Sequence, residues 1–175
     1  MPPPVSLQAD EPNPFQPAQE DPTAVKLSLL PHEPKTSFTA ALSAILVLIP
    51  PRQDKRSFEP CSVWLRGSYA HLFAHYALTL VEKEIEEKGV TRTSSDHPVE
   101  GKLHPHLPPQ LHPILALVVL SVYEYCHCGN ISRMRIRANQ AVTTAMDYSL
   151  HQLGGNALEA QRRAWWSAVS FVPIL

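Results

Sequence analysis

The fold of this chain is decided by the stretch Ile114-Leu-Ala-Leu-Val-Val-Leu-Ser-Val-Tyr-Glu-Tyr125. In a helical conformation its apolar side chains cover nearly the whole circumference, which is typical of a helix buried at the centre of a domain. Pro113 precedes the stretch, and proline is favoured in the first turn of a helix. We therefore predict a central buried helix from Pro113 to about Tyr125.

A short turn and an amphipathic helix are predicted next. The apolar run breaks at Cys126-His-Cys-Gly-Asn130, where Gly129 can adopt the left-handed conformation that ends many helices. Asn130 can cap the next helix, which is predicted from about Ile131 to Leu150. The apolar stripe of this helix is predicted to consist of Ile131, Met134, Ala138, Ala141, Val142, Ala145 and Met146.

A last helix is predicted after Gly154-Gly155. Asn156 can cap it, and Glu159 stands three residues later, as in a capping box. Pro173 is expected to end the helix. The residues predicted to share one of its faces are Trp165, Val169 and Val172.

Two further helices are predicted before the central one. The apolar run Phe38–Ile49 is shorter than the roughly 20 residues that cross a bilayer, so it indicates a short buried helix stopped by Pro50-Pro51. A longer helix is predicted from about Ser62 to Lys88, with Gly89 as its stop. Its predicted apolar face consists of Leu65, Tyr69, Leu72, Phe73, Tyr76 and Leu80. No useful strand-like alternation occurs, so the predicted fold class is all-α, an irregular helical bundle.

Two proline-rich segments are predicted to be irregular. Twelve of the 18 prolines lie in the first 60 residues, and proline both lacks an amide hydrogen and restricts the residue before it. We predict a disordered tail over residues 1–36 and a domain over residues 37–175, interrupted by a linker at about 90–112.

Composition excludes several classes of protein. The 15 basic and 16 acidic side chains give a net charge of −1, which argues against direct DNA binding because that depends on phosphate neutralisation. Three cysteines form no even disulfide framework and fit a reducing compartment. Phosphate loops, nucleophile elbows and paired catalytic carboxylates are not evident, so we expect no enzymatic activity. We expect no membrane association, because the one apolar candidate, Phe38–Ile49, is too short to cross a bilayer.

The order of several short motifs resembles a known family. The match covers roughly Ser68 to Phe171 and is best from Leu111 onward. An apolar helix ending in Tyr-Glu, a glycine turn, a helix ending in Leu-His, an acidic residue and paired Arg and Trp resemble the regulatory middle homology domain of fungal binuclear zinc-cluster transcription factors. The residues that carry the resemblance are Tyr123, Glu124, Gly129, Asn130, Leu150, His151, Glu159, Arg162, Arg163, Trp165 and Trp166.

The resemblance implies a nuclear regulator whose helical domain modulates transcriptional activation, often of metabolic or secondary-metabolite genes. Its expected mechanism is a helix repacking that exposes or masks an activation surface. Its expected partners are proteins of the transcription machinery or a second copy in a homodimer. The arginine pair is expected to be structural or regulatory.

The chain differs from the family that it resembles in its cysteines and in its length. The zinc-cluster module of these factors holds two zinc ions on six closely spaced cysteines, whereas this chain has three widely divided ones. We therefore expect no cofactor in this chain, with zinc confined to the missing module. Because the family domain continues with further helices, the chain is expected to be a fragment or a truncated relative. The alternative function is a helical interaction module, an adaptor or inhibitory partner with no direct transcriptional role.

Two histidine-containing clusters are candidate metal sites. Cysteine and histidine are preferred zinc ligands, but the first cluster lacks the usual ligand spacing and partly lies in the proline-rich linker. It consists of Cys126, His127, Cys128, His104, His106 and His112. The pair His71 and His75 has the spacing of zinc proteases, yet Leu72 stands where their catalytic glutamate would be. We expect ordinary helix-end cysteines, solvated linker histidines and partly buried helix histidines.

Arginines and tryptophans near the C-terminal end allow two further hypotheses. The arginines could form a basic patch for nucleic acid or an acidic partner, although ordinary helix surface with ion pairs to Glu124, Asp147 and Glu159 is favoured. The patch would consist of Arg133, Arg135, Arg137, Arg162 and Arg163. Neighbouring helical residues point about 100° apart, so we expect Trp165 and Trp166 to divide between core and interface. A ligand cage is the less favoured alternative.

Overall fold

The computed structural model describes residues 33–52, 55–90, 107–155 and 157–170. Within these ranges the chain forms five α-helices and no strand, which confirms the predicted all-α class. The helices are α1 (Ser37–Leu46), α2 (Pro60–Val90), α3 (His112–Cys126), α4 (Ile131–Asp147) and α5 (Glu159–Ser170). Short 3-10 helices occupy Lys55–Phe58, Pro109–Leu111 and Leu150–Gln152. Residues 1–32 of the predicted tail and 91–106 of the predicted linker lie outside the described residues.

Helix α3 is the centre of the bundle, as its apolar sequence predicts. It packs against each of the other four helices. Its largest fully buried side chains, Ile114, Leu117 and Leu120, are joined by Leu111 just before the helix. Burying one such side chain stabilises the fold by about 1.5–3 kcal/mol. None of the helices in the described part of the chain is both long and apolar enough to cross a bilayer.

The surrounding helices meet the core largely through alanine. Small side chains let helix backbones approach closely, so the bulky residues of α3 fit against flat neighbouring surfaces. The buried alanines of these helices are Ala40, Ala41 and Ala44 in α1, Ala70, Ala74 and Ala77 in α2, Ala138, Ala141 and Ala145 in α4, and Ala164 and Ala168 in α5.

The predicted apolar face of α2 is wrong at its N-terminal end. Leu65 is 49% exposed and Tyr69 is also exposed, whereas Leu72 is buried. The other predicted members, Phe73, Tyr76 and Leu80, pack at the edge of the core. The error arises because Ala70, Ala74, Ala77 and Val81 form a second stripe at helical spacing, and the bundle buries that one. Helix α2 also continues past Gly89 to Val90.

Helix α1 is held in place at its N-terminal end. Thr36 caps it in a capping box with Thr39, and the backbone N–H and hydroxyl of Ser37 both donate to the Glu84 carboxylate of α2. Glu33 accepts a 2.6 Å hydrogen bond from the Tyr76 hydroxyl. Residues 33–36, which are predicted as part of the tail, therefore contribute capping and side-chain contacts to the helical unit. The helix ends at Leu46, three residues before the predicted Ile49.

The predicted start of α4 is correct, whereas its predicted end is too late. Gly129 has a φ of 62°, and the Asn130 side chain accepts from the Arg133 N–H at 2.9 Å, so both predicted capping roles are present. The helix ends at Asp147, before the predicted Leu150. Ser149 adopts a left-handed conformation with a φ of 57°, which stops the helix and buries Leu150. The predicted stripe is buried in its middle, while its two ends, Ile131 and Met146, are exposed.

Candidate functional site

An open groove of about 610 Å³ lies along the outer face of α5. Val118 lies on α3, so the groove forms where α5 meets the central helix. Four other lining residues belong to the motif identified in the sequence. The groove is lined by Val118, Glu159, Arg162, Arg163, Trp166, Ser167 and Ser170.

Helix α5 presents this groove because its opposite face is sealed into the bundle. Ala164 and Ala168 are buried, and Trp165 packs against the core. The Trp165 ring also approaches His151, with ring centroids 6.1 Å apart. Successive helical residues point about 100° apart, which turns Trp166 outward. It is 65% exposed, so the neighbouring tryptophans occupy two different environments.

Two arginines and one carboxylate give the groove its polar character. Arg163 Nε lies 2.9 Å from Glu159 Oε1, an exposed pair one helical turn apart. Such pairs contribute only about 0–1 kcal/mol to stability. Arg162 donates to the Gly155 carbonyl at 3.0 Å and so ties the first turn of α5 to the preceding loop. Each contact uses part of a guanidinium that carries five N–H donors, so both arginines retain donors for a ligand.

The remaining motif residues have structural positions. Tyr123 is buried and its ring centroid lies 5.3 Å from that of His127. Burial raises the pKa of the Tyr123 hydroxyl. Glu124 is buried as well, and its Oε2 has no hydrogen-bond partner among the described residues. Together with Gly129 they form the connection between α3 and α4 rather than an open cleft.

The structure gives the cysteine-histidine metal hypothesis no geometric support. His112 begins α3 and Cys126 ends it, so about 21 Å of helix separates them. Cys126 and Cys128 are exposed, whereas His112 is buried at the start of α3 and not solvated as predicted for the linker histidines. Across the described ranges no three His, Cys, Asp or Glu side chains are arranged to hold a metal ion. His104 and His106 lie outside those ranges.

The histidine pair and the α4 arginines, the other candidate sites predicted from the sequence, lie at the surface. His71 and His75 are both exposed on α2, so the expectation that they are partly buried is wrong. Arg133 and Arg135 are exposed on α4, and Arg137 donates to Gln140 at 2.9 Å. Of the three expected acidic partners, Glu159 pairs with an arginine, while no ion pair to Glu124 or Asp147 is found among the described residues.

Sequence reasoning missed three groove residues. Ser167 and Ser170 extend the exposed face of α5, and the spacing of positions 159, 163, 166 and 170 would have placed Ser170 on it. Val118 offers no such signal, because only the packing of α3 against α5 brings it there. Asn156 and Val172, predicted as a cap and as a residue on the face of Trp165, lie outside the described residues. Helix α5 begins at Glu159 itself, so the predicted capping box, which places Glu159 in the third helical position, is wrong.

Comparison with protein-family models, with curated proteins and with solved structures finds no match to this chain. The chemistry of the groove and the order of the motif residues are therefore the basis on which a function can be assigned.

Proposed function

We propose that this chain is the helical regulatory part of a fungal transcription regulator, and that it acts by docking a partner protein. The observation that carries this proposal is the clustering of Glu159, Arg162, Arg163 and Trp166 around one open groove. The same four residues belong to the motif that resembles the middle homology domain. These four members of the motif are exposed on one face of α5, so they are available to contact a partner rather than to pack the core.

Several features support docking over catalysis. The groove is open and carries an exposed aromatic ring, which is typical of a surface that binds another macromolecule. Its charged groups are two guanidiniums and one carboxylate, and one of the guanidiniums already pairs with that carboxylate. The lining also contains the hydroxyls of Ser167 and Ser170, and Ser170 donates its proton to the Trp166 carbonyl at 2.6 Å rather than to a general base. In the proposed mechanism the partner occupies the groove and thereby exposes or masks an activation surface.

A reporter assay tests the transcriptional part of the proposal. The full chain is fused to an unrelated DNA-binding domain, and reporter output is compared with that of the DNA-binding domain alone. We expect the fusion to change the output and Trp166→Ala to return it toward the baseline. Arg135→Ala, which alters an exposed arginine of α4 outside the groove lining, serves as the matched control.

The second candidate function is an adaptor or inhibitory module without a transcriptional role, and the same open groove favours it. A folded fusion that leaves reporter output unchanged would select this candidate. Full-length transcripts provide an independent criterion, since an upstream segment with six closely spaced cysteines would favour the regulator.

A further inference from the structure

We propose that the α5 groove binds an acidic amphipathic helix of a partner protein, with an apolar side chain against Trp166 and carboxylates against Arg162 and Arg163. This inference rests on the docking role proposed above and identifies the chemistry of the partner. Three observations lead to it: the shape of the groove, its apolar anchor and its charge.

The shape of the groove matches a helix. Its α5 residues extend from Glu159 to Ser170, a distance of about 16 Å or three helical turns. The groove lies between α5 and Val118 of α3, the position that another helix would occupy in a larger bundle. An amphipathic helix presents side chains at three- and four-residue spacing, so it can follow all three turns of α5.

Trp166 supplies an anchor for an apolar side chain. Trp166 is 65% exposed even though the alanine face of α5 is buried. Its exposure therefore persists after α5 has packed onto the bundle. Beside Trp166, the stems of the arginines offer apolar surface, to which Val118 of α3, only 9% exposed, adds little. Tryptophan is enriched among interface residues whose truncation weakens binding most. A leucine or phenylalanine of the partner would cover the indole and exclude water from it.

The charge of this part of the molecule selects an acidic partner. Residues 107–170 contain five arginines and three carboxylates, and one of these carboxylates, Glu124, is buried. The surface of this region is therefore more basic than the net charge of −1 for the whole chain indicates. Arg162 and Arg163 lie in the groove with only one carboxylate, Glu159. Complementary charge accelerates encounter and rejects partners of the wrong sign.

The same charges favour a protein over nucleic acid. Glu159 lies in the groove and pairs with Arg163, so it would repel a phosphate backbone. Duplex binding requires several phosphate contacts, whereas the groove offers two arginines, one of them paired. A helix with alternating carboxylates and apolar residues can avoid Glu159 and still reach both guanidiniums.

A synthetic helix tests the inference directly. The probe is a fluorescein-labelled peptide of about five helical turns, with leucine and phenylalanine on one face and glutamate beside them. The control peptide has lysine at every glutamate position. Fluorescence anisotropy is measured with the full chain. We expect the glutamate peptide to bind at least about tenfold more tightly than the lysine peptide, and added salt to reduce this difference.

Variants of the chain locate the binding site. Trp166→Ala is expected to weaken binding of the glutamate peptide at least about tenfold. The matched control is Trp64→Ala, because Trp64 is 72% exposed on α2 and does not line the groove. Arg162→Glu should reverse the preference and favour the lysine peptide. Circular dichroism and thermal melting verify that each variant is folded, and Arg162→Ala provides a second variant if Trp166→Ala melts early.

Several results would overturn the inference. Equal affinity for the two peptides, equal losses in Trp166→Ala and Trp64→Ala, or tighter binding of a short DNA duplex would each contradict it. The reporter assay separates this failure from failure of the proposed function. Peptide binding with an unchanged reporter supports the partner chemistry and removes the transcriptional role. A changed reporter without peptide binding removes the partner chemistry alone.

Discussion

Helices α2 and α5 both bury a line of alanines, yet their tryptophans have different surroundings. Trp64 stands in the first turns of α2, where Val63 and Leu65 are also exposed, and Phe58 is exposed just before the helix. Trp166 lines one groove with Arg162, Arg163 and Val118 of another helix. The exposed surface near Trp64 is therefore mainly apolar, whereas Trp166 combines an apolar ring with charged neighbours. The stability of each helix, in contrast, depends on the opposite, alanine-bearing face.

The largest expected effect comes from filling the alanine face of α2. Ala77 is fully buried, so Ala77→Leu should overpack the contact and lower the free energy of unfolding by about 3 kcal/mol. Leu65→Ala, on the exposed side of the same helix, should change it by less than about 0.5 kcal/mol. Urea denaturation measures both values. A neutral Ala77→Leu together with a destabilising Leu65→Ala would restore the apolar face predicted from sequence.

A smaller effect on the free energy of unfolding is expected from substitutions on the inner and outer faces of α5. Trp165 is half-buried, so Trp165→Ala should cost about 2 kcal/mol, less than the roughly 3–5 kcal/mol of a fully buried tryptophan. Arg163→Ala removes an exposed ion pair and should cost less than about 0.5 kcal/mol. Thermal melting of the two variants provides the comparison. Equal shifts in melting temperature would show that the inner face of α5 contributes little to the core.

The smallest expected effect is a pH dependence of stability that arises at the contact between α1 and α2. Burial raises the pKa of the Glu84 carboxyl, although the hydrogen bonds from Ser37 oppose this rise. The folded state therefore binds this proton more tightly than the unfolded state. The resulting stability is fully present below the ordinary pKa of a glutamate and is lost as pH rises through the raised value.

The Glu84→Gln variant isolates this effect. Because glutamine stays neutral, the stability of the wild-type chain relative to Glu84→Gln should fall as pH rises from about 4 to about 7. Denaturation curves at several pH values measure this difference. Glu86→Gln controls for the loss of one exposed charge from α2. A difference that grows with pH would mean that the Ser37 hydrogen bonds outweigh burial.

Local chemistry made much of the fold predictable. The all-round apolar pattern of α3 identified the central helix, and Gly129 and Asn130 marked the next boundary correctly because each acts through its own backbone or its nearest turn. The end of α4 was predicted too late, since the left-handed conformation of Ser149 has no strong local signal. The buried face of α2 was predicted wrongly because two apolar stripes on this helix both have helical spacing. The stripe with the larger side chains was chosen, whereas the bundle buries the alanine stripe.

The candidate site was predictable only in part. Glu159, Arg162, Arg163 and Trp166 stood out as a motif, and an exposed ion pair between an arginine and Glu159 was predicted correctly, but their spacing could not indicate that the other three share a groove with Trp166. Helical geometry predicts that Trp165 and Trp166 diverge without indicating which of them faces solvent. The burial of Ala164 and Ala168 determines that choice.

The helical class, the central position of α3 and the caps around the turn that follows it are readable from the amino-acid order alone, because they depend on periodicity and on contacts within a few residues. The buried face of α2, the contact between Glu84 and Ser37, and the groove that Val118 shares with the α5 residues arise only when the helices pack together. Those features depend on contacts between residues about 40 to 50 positions apart, and helix packing, unlike helix formation, is a property of pairs of surfaces.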